Sequence, residues 1–359
     1  MTSLTTLIAA GTLLASLPGV QEPGTTATRG SNSPTTAVER HLAAMGTWLH
    51  LNCEAPDRST ALRGSEAAAR AIEAVEKRLS TWRDDSELSR FNRFPVGESF
   101  PLSSQLAADL RFARDIVHET NGAFDPALAP LVSAFGLRTG GRLPSAQELL
   151  EARAASGLRH LHIAEDRAQR LHPQVAIEEG GFGKGIGLDA ALRAARESGV
   201  VGGSIDLGGQ LALIGVQTPQ VFGIAHPARR DETCVRVSID HGSLATSGNS
   251  ERGIVIAGAR RSHLLDPRTG QPSPDFGSVS VWSSSAARAD ALSTALFVMG
   301  PEEALRFAEG ADDCEVVCLV LQAEKTLVLA SSGLADKLSI LSPDTSFGVT
   351  VSNAPTKDA

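Results

Sequence analysis

The chain has 359 residues, room for one large domain or two modest ones. It is 42% hydrophobic and 21% charged, an ordinary globular balance. A net charge of −8 argues against a nucleic-acid-binding surface, so no nucleic-acid partner is expected.

From the N-terminus, Leu4 to Val20 is apolar, with no charge before Glu22. It reads as the core of a signal peptide over 1–21, which points to an exported, periplasmic or otherwise extracytoplasmic protein. No cysteine follows this run, so a lipoprotein anchor is not supported. Residues 22–37, rich in Gly, Ser, Thr and Pro, read as a disordered linker. A main domain is expected over 38–340 and a loose polar tail over 341–359. No later stretch is long and apolar enough to span a bilayer. Cys53, Cys234, Cys314 and Cys318 form neither a zinc pair nor a redox CxxC and read as structural thiols.

Within the main domain, Met45-Gly46-Thr47 precedes a short apolar run. Ala68, Ile72, Val75 and Leu79 share a face and predict a helix over 65–80. In the following STWRDDSELSRFN, Trp82 reads as a half-buried aromatic or as a stacking platform for a planar ligand. Asp85 or Ser86 caps a short new helix there. A helix over 103–119 runs into TNGAFDP, where Asn-Gly ends it and Asp-Pro forces a turn. Asp125 reads equally as a turn cap and as a ligand contact. Residues 137–144 form a polar turn, and Ser145 with Glu148 predicts a capping box.

The stretch 175–209 organises the rest: VAIEEGGFGKGIGLDAALRAARESGVVGGSIDLGG. Glu178 and Glu179 lead into a glycine-rich loop over 180–185, and an amphipathic helix is expected over 188–197. A glycine loop opening a helix aims backbone N–H groups at an anion, and Lys184 adds a point charge suited to phosphate. Two carboxylates at the entrance repel phosphate unless a hard divalent cation sits between them. The chemistry suggests a phosphate ester held with a metal; a plain turn is the competing reading.

Next, 204–216 predicts a strand carrying Gly208-Gly209, followed by strands over 235–239 and 254–256 with a polar loop over 244–252 between them. His263, before an apolar pair, reads as a hydrogen-bonded structural histidine or as a base. After a strand over 278–282, Asp290, Ser293 and Thr294 share one face of a helix over 289–297. These oxygens suit Mg²⁺, or they are a helix cap with two solvated hydroxyls. A helix over 301–309 and strands over 315–321 and 326–330 close the domain. Helices and strands do not alternate regularly, which predicts an α+β fold of mostly antiparallel sheets flanked by helices.

Taken in order, these segments resemble the ApbE family of FAD:protein FMN transferases over about residues 40–335. The resemblance rests on MGT, STWRDDSELSRFN, GAFDP, GGFGKG ending in Asp189, DLGG, ATSG, HLLDPRTG and ADALSTA. It implies an ApbE-like (T-fold-like) architecture and an enzyme that uses Mg²⁺ to cut the pyrophosphate of FAD. FMN is then attached through a phosphoester to a Ser or Thr of an acceptor flavoprotein, releasing AMP. Subunits of membrane redox complexes are the implied acceptors.

Carried over by position, Met45 faces the flavin side and Trp82 takes the place of a ligand-packing aromatic. Ala123, Phe124 and Asp125 line the adenine and ribose side; Glu178 stands where Asp is usual, and Leu265 joins His263 against FAD. Gly181, Asp290, Ser293 and Thr294 match the metal site, and Lys184 the phosphate-side lysine. His263 matches the proposed base for the acceptor hydroxyl, with Asp266 as its candidate orienting partner. Asn249-Ser250 replace a more usual acidic-aromatic pair. Two other activities share these features: a Mg²⁺-dependent FAD pyrophosphatase giving FMN and AMP, and a non-catalytic FAD-binding protein.

Overall fold

The computed structural model describes residues 35–215, 218–249, 254–256, 259–323, 325–342 and 345–348. The apolar run 4–20, Val216, residues 250–252 and most of the expected tail lie outside the described residues. A nine-stranded sheet forms the spine. In chain order its strands are β1 (Thr36–Ala44), β2 (Thr47–Ala55), β3 (Gly202–Leu207), β4 (Gln210–Gly215), β5 (Ser243–Gly248), β6 (Gly277–Ser283), β7 (Glu315–Leu321), β8 (Thr326–Ala330) and β9 (Thr345–Gly348). Each strand pairs with the next, antiparallel except for β8 with β9.

All but one short helix enter as two long insertions between neighbouring strands. The first carries α1 (Arg58–Leu79), α2 (Glu87–Arg93), α3 (Ser104–Glu119), α4 (Ala129–Ala134), α5 (Ala146–Ala155) and α6 (Gly183–Glu197). The second carries α7 (Ala286–Met299) and α8 (Pro301–Gly310). Helices cover one face of the sheet: Leu49, Leu51 and Ile205 meet Ile72 and Leu188, while Val281, Val316 and Cys318 meet Leu292 and Leu296. The opposite face of β7, Val317 and Leu319, packs on a three-stranded sheet through Val235 and Val237. Burial on both faces explains why this strand reads as an unbroken apolar run rather than an alternating one.

Several local expectations meet their partners. Ser86 caps α2, and Ser145 with Glu148 closes the capping box of α5; Ser103, not singled out in the sequence, caps α3. All four cysteines are buried, and burial pushes the Cys53 thiol up to about 11 and those of Cys314 and Cys318 to about 12.

Other expectations need correction. The first helix begins at Arg58, capped by Asp57, because its opening turns are polar and show no apolar period. The run 204–216 is a hairpin: Gly208 and Gly209 have φ of +60° and +85°, the left-handed pair that joins twisted strands tightly. Most of the expected 244–252 loop is β5, whose small polar residues hide a strand between β4 and β6. The strand β1 starts at Thr36, inside the expected linker, and β9 lies inside the expected loose tail, bound in parallel to β8.

Candidate functional site

The second half of the glycine-rich segment is helix. α6 begins at Gly183, so Lys184 sits in its first turn rather than in a loop before it. Glycines at 183, 185 and 187 hide the helix in the sequence, and each has a close neighbour. A Cβ on Gly185 would stand 2.3 Å from the Ala286 carbonyl oxygen, so only glycine lets α6 and α7 approach this closely. Cβ atoms on Gly183 and Gly187 would meet Met45 Cε at 3.6 Å and Sδ at 3.3 Å. Met45 occupies the β1–β2 turn at φ +49°, and its N–H donates to Glu76 Oε2 at 3.1 Å.

The two packed helices exchange carboxylates at their N-termini. Asp290 of α7 accepts the Gly185 N–H at 3.0 Å and the Lys184 ammonium at 2.8 Å. Asp189 of α6 accepts Ser285 Oγ at 2.7 Å and the N–H groups of Ala286 and Ala287 at 2.8 and 3.1 Å. Each carboxylate faces the positive end of the partner helix. Asp290 is almost fully buried, while Lys184 retains 28% side-chain exposure and can reach solvent.

Around this pair the structure gathers further oxygens. Ser293 Oγ donates to the Asp290 carbonyl at 2.9 Å and lies 2.8 Å from Ser247 Oγ on β5. Thr294 Oγ1 lies 3.3 Å from where a Cβ on Gly181 would stand, and Phe124 is 3.2 Å from the same point. Glycine at 181 therefore keeps open a niche beside the Thr294 hydroxyl. Phe124 backs the niche, edge-on to Phe182. Among the described residues no group of three or more His, Cys, Asp or Glu could hold a metal. The donors here are one carboxylate, hydroxyls and peptide carbonyls, all hard oxygen.

The two entrance glutamates are each held by protein groups. Glu179 accepts the Thr81 N–H at 3.1 Å and the Thr81 hydroxyl. Glu178 forms an ion pair with Arg138, from the polar turn after α4. Burial pushes the Glu178 carboxyl above its ordinary range, against the downward pull of Arg138. The Arg138 guanidinium also covers the ring of Trp82, 4.4 Å from its centroid. Trp82 is 74% exposed, so the half-buried reading does not hold. Arg138 and Glu178 also line a pocket of about 350 Å³ with Val132, Ser133, Gly136 and Thr139.

Three other predicted residues have structural duties. Both oxygens of Asp125 accept backbone N–H groups: Oδ1 those of Ala127 and Leu158, Oδ2 that of Leu158. Burial raises its carboxyl above the usual range. Ala123 is buried, and Leu265 packs among Leu131, Phe135 and Ala152, so its side chain is core. His263 Nδ1 lies 3.1 Å from Asn249 Oδ1, which also accepts Ser262 Oγ. An accepting Asn oxygen places the proton on Nδ1 and leaves the ring's lone pair at Nε2. Asp266 does not orient this ring; its carboxylate is taken by the Arg268 guanidinium and N–H. The end of β5 links the two halves, Ser247 reaching α7 and Asn249 reaching His263.

Sequence reasoning missed Arg138, Thr81, Asn249 and Ser247 as members of this region, and it missed the capping role of Asp189. Thr81, Ser247 and Asp189 lay inside motifs already noted and Asn249 stood out as a departure, whereas Arg138 carried no signal.

Comparison with known proteins follows the same segments. The model of the ApbE family matches residues 45–318. An FAD:protein FMN transferase of Vibrio cholerae is 32% identical over 279 residues, 75% of this chain and 83% of that protein. The solved flavin transferase ApbE from Vibrio cholerae aligns at a TM-score of 0.73 and 28% identity, over 83% of this chain and 98% of its own. The ApbE protein of Thermotoga maritima reaches a TM-score of 0.76 at 26% identity, over 83% and 98%.

Proposed function

The chain belongs to the ApbE family, and we propose that it is a Mg²⁺-dependent FAD:protein FMN transferase that attaches FMN to a Ser or Thr of an acceptor flavoprotein and releases AMP. The observation that carries this reading is the Lys184–Asp290 pair at the start of α6, beside the Gly181–Thr294 niche.

The residues present fit a hard cation. Asp290, Ser293 and Thr294, with Gly181 leaving room opposite, would hold Mg²⁺. Bound there, it would neutralise charge on the pyrophosphate and on the departing AMP. The chain's own residues do the rest. Lys184, partly exposed and ion-paired with Asp290, turns its ammonium toward the transferred phosphoryl group. The N-terminus of α6, held by Asp290 through the Gly185 N–H, brings its positive end beside Lys184. His263, holding its Nδ1 proton on Asn249, takes the acceptor hydroxyl proton at Nε2. Phosphoryl transfer needs mainly positioning and electrostatics, which this frame supplies.

Location and partner belong to the same proposal. The apolar Leu4–Val20 segment supports export, and an enzyme there would modify extracytoplasmic flavoproteins, membrane redox subunits among them.

The test is to incubate the protein with FAD and Mg²⁺, with and without an acceptor, and measure AMP and acceptor mass. AMP with an FMN adduct is expected. AMP with free FMN would make the chain a pyrophosphatase instead. Asp290→Asn keeps an oxygen for the Gly185 N–H but removes the charge; it should lower AMP release on the order of 10²-fold or more. Undiminished release would overturn the site assignment.

A further inference from the structure

Trp82 is the most exposed large hydrophobic side chain among the described residues, at 74%. An indole left this open is a stacking surface. What lies on its face is Arg138, whose flat guanidinium is itself a stacking group. Arg138 is also tethered: it pairs with Glu178 and donates to the Thr81 hydroxyl and, at 3.3 Å, to the Thr81 carbonyl. Thr81 in turn holds Glu179, whose Cγ is 3.3 Å from where a Cβ on Gly183 would stand. The stacking face is therefore wired to the start of α6, where Lys184 stands. The tethers are modest, since Arg138 and Glu178 keep 32% and 23% side-chain exposure.

We propose that Arg138 is a specificity-determining residue that occupies the Trp82 face as a built-in competitor for the planar rings of a flavin nucleotide. A ring that stacks on Trp82 must lift the guanidinium off, so Arg138 sets the affinity of the site without adding to it. The inference rests on the flavin-nucleotide reading above and deepens it. A cation on an exposed aromatic and a partly exposed ion pair are both weak, so displacement costs affinity only severalfold.

The test is a double-mutant cycle on the full chain with Arg138→Ala, Trp82→Ala and the double variant. Both residues reach solvent, so neither change threatens folding. Binding of FAD, FMN and AMP is measured separately by calorimetry without acceptor protein. Arg138→Ala should lower the Kd of FAD about three- to tenfold, and Trp82→Ala should raise it. In the Trp82→Ala background, removing Arg138 should change Kd by less than about twofold, because no face is left to uncover. The same coupling in the FMN arm identifies the flavin ring as the stacked group; in the AMP arm, the adenine.

Weaker FAD binding by Arg138→Ala in both backgrounds would overturn the proposal and make Arg138 a direct ligand contact. An equal gain in both backgrounds would also overturn it, since the effect would not pass through Trp82. FAD bound with one Kd by all four proteins would remove the competitor and leave the flavin-nucleotide reading standing. Absence of FAD binding in all four would overturn both.

Discussion

Gly185→Ala tests whether the α6–α7 contact builds the site. The added Cβ would stand 2.3 Å from Ala286 O, 2.6 Å from Ala287 Cα and 2.7 Å from the Ala286 carbonyl carbon. These are backbone atoms, so no rotamer change relieves the clash. Carbon contacts are comfortable near 3.5 Å, so the helices must separate by roughly 1 Å. Overpacking of this kind costs about 1–3 kcal/mol. Alanine returns up to about 1 kcal/mol of helix propensity, which leaves a net loss. The separation also lengthens the Gly185–Asp290 and Lys184–Asp290 bonds, now 3.0 and 2.8 Å. A 1 Å error in placement can lower a rate on the order of 10²-fold. Gly187→Ala is the control: its Cβ would meet Met45 Sδ at 3.3 Å and Leu207 Cδ2 at 3.8 Å, side-chain atoms that give way. Thermal unfolding and acceptor mass should show Gly185→Ala less stable and nearly inactive, and Gly187→Ala close to wild type. A Gly185→Ala protein as stable and as active as wild type would refute the close-packing argument.

Three further outcomes are expected. Asp109→Ala breaks a largely buried pair, 2.6 Å from Arg78 between α3 and α1, and should cost about 3 kcal/mol in urea unfolding; adding Arg78→Met should restore part of it. Arg142 and then the Ser145 backbone hold the Glu148 carboxyl down at about 2. A depressed carboxylate contributes stability above its unfolded pKa and loses it as pH falls toward the folded one. Glu148→Gln should therefore flatten the stability curve between about pH 4.5 and 2 and leave neutral-pH transfer unchanged. His263→Ala should slow FMN transfer at neutral pH and alter the pH–rate profile; an unchanged profile would make His263 structural.

Much of this chain was legible where the signal is local. Caps at Ser86 and Ser145 act within three residues of themselves, so sequence spacing suffices to find them. The order of short motifs pointed to the family, helped by motifs such as MGT and HLLDPRTG that are largely turns closed by their own neighbours. Reading failed where glycine served two purposes. Gly183, Gly185 and Gly187 look like a loop by propensity, yet they form the packed first turns of α6, because the approach of α7 and Met45 outweighs intrinsic preference. Gly208-Gly209 hid a hairpin, and polar β5 hid a strand, since sheet pairing is decided by partners far along the chain.

The site divides the same way. The sequence by itself determined which chemical groups are present: a lysine at a helix start, a carboxylate with hydroxyls on one helical face, a histidine before a turn. Only the tertiary structure decided what each one touches. Lys184 and Asp290 meet across 106 residues, Arg138 and Glu178 across 40, and Thr81 and Glu179 across 98. No local rule encodes such pairs, because they depend on how closely two helices can pack and on where a distant turn comes to rest.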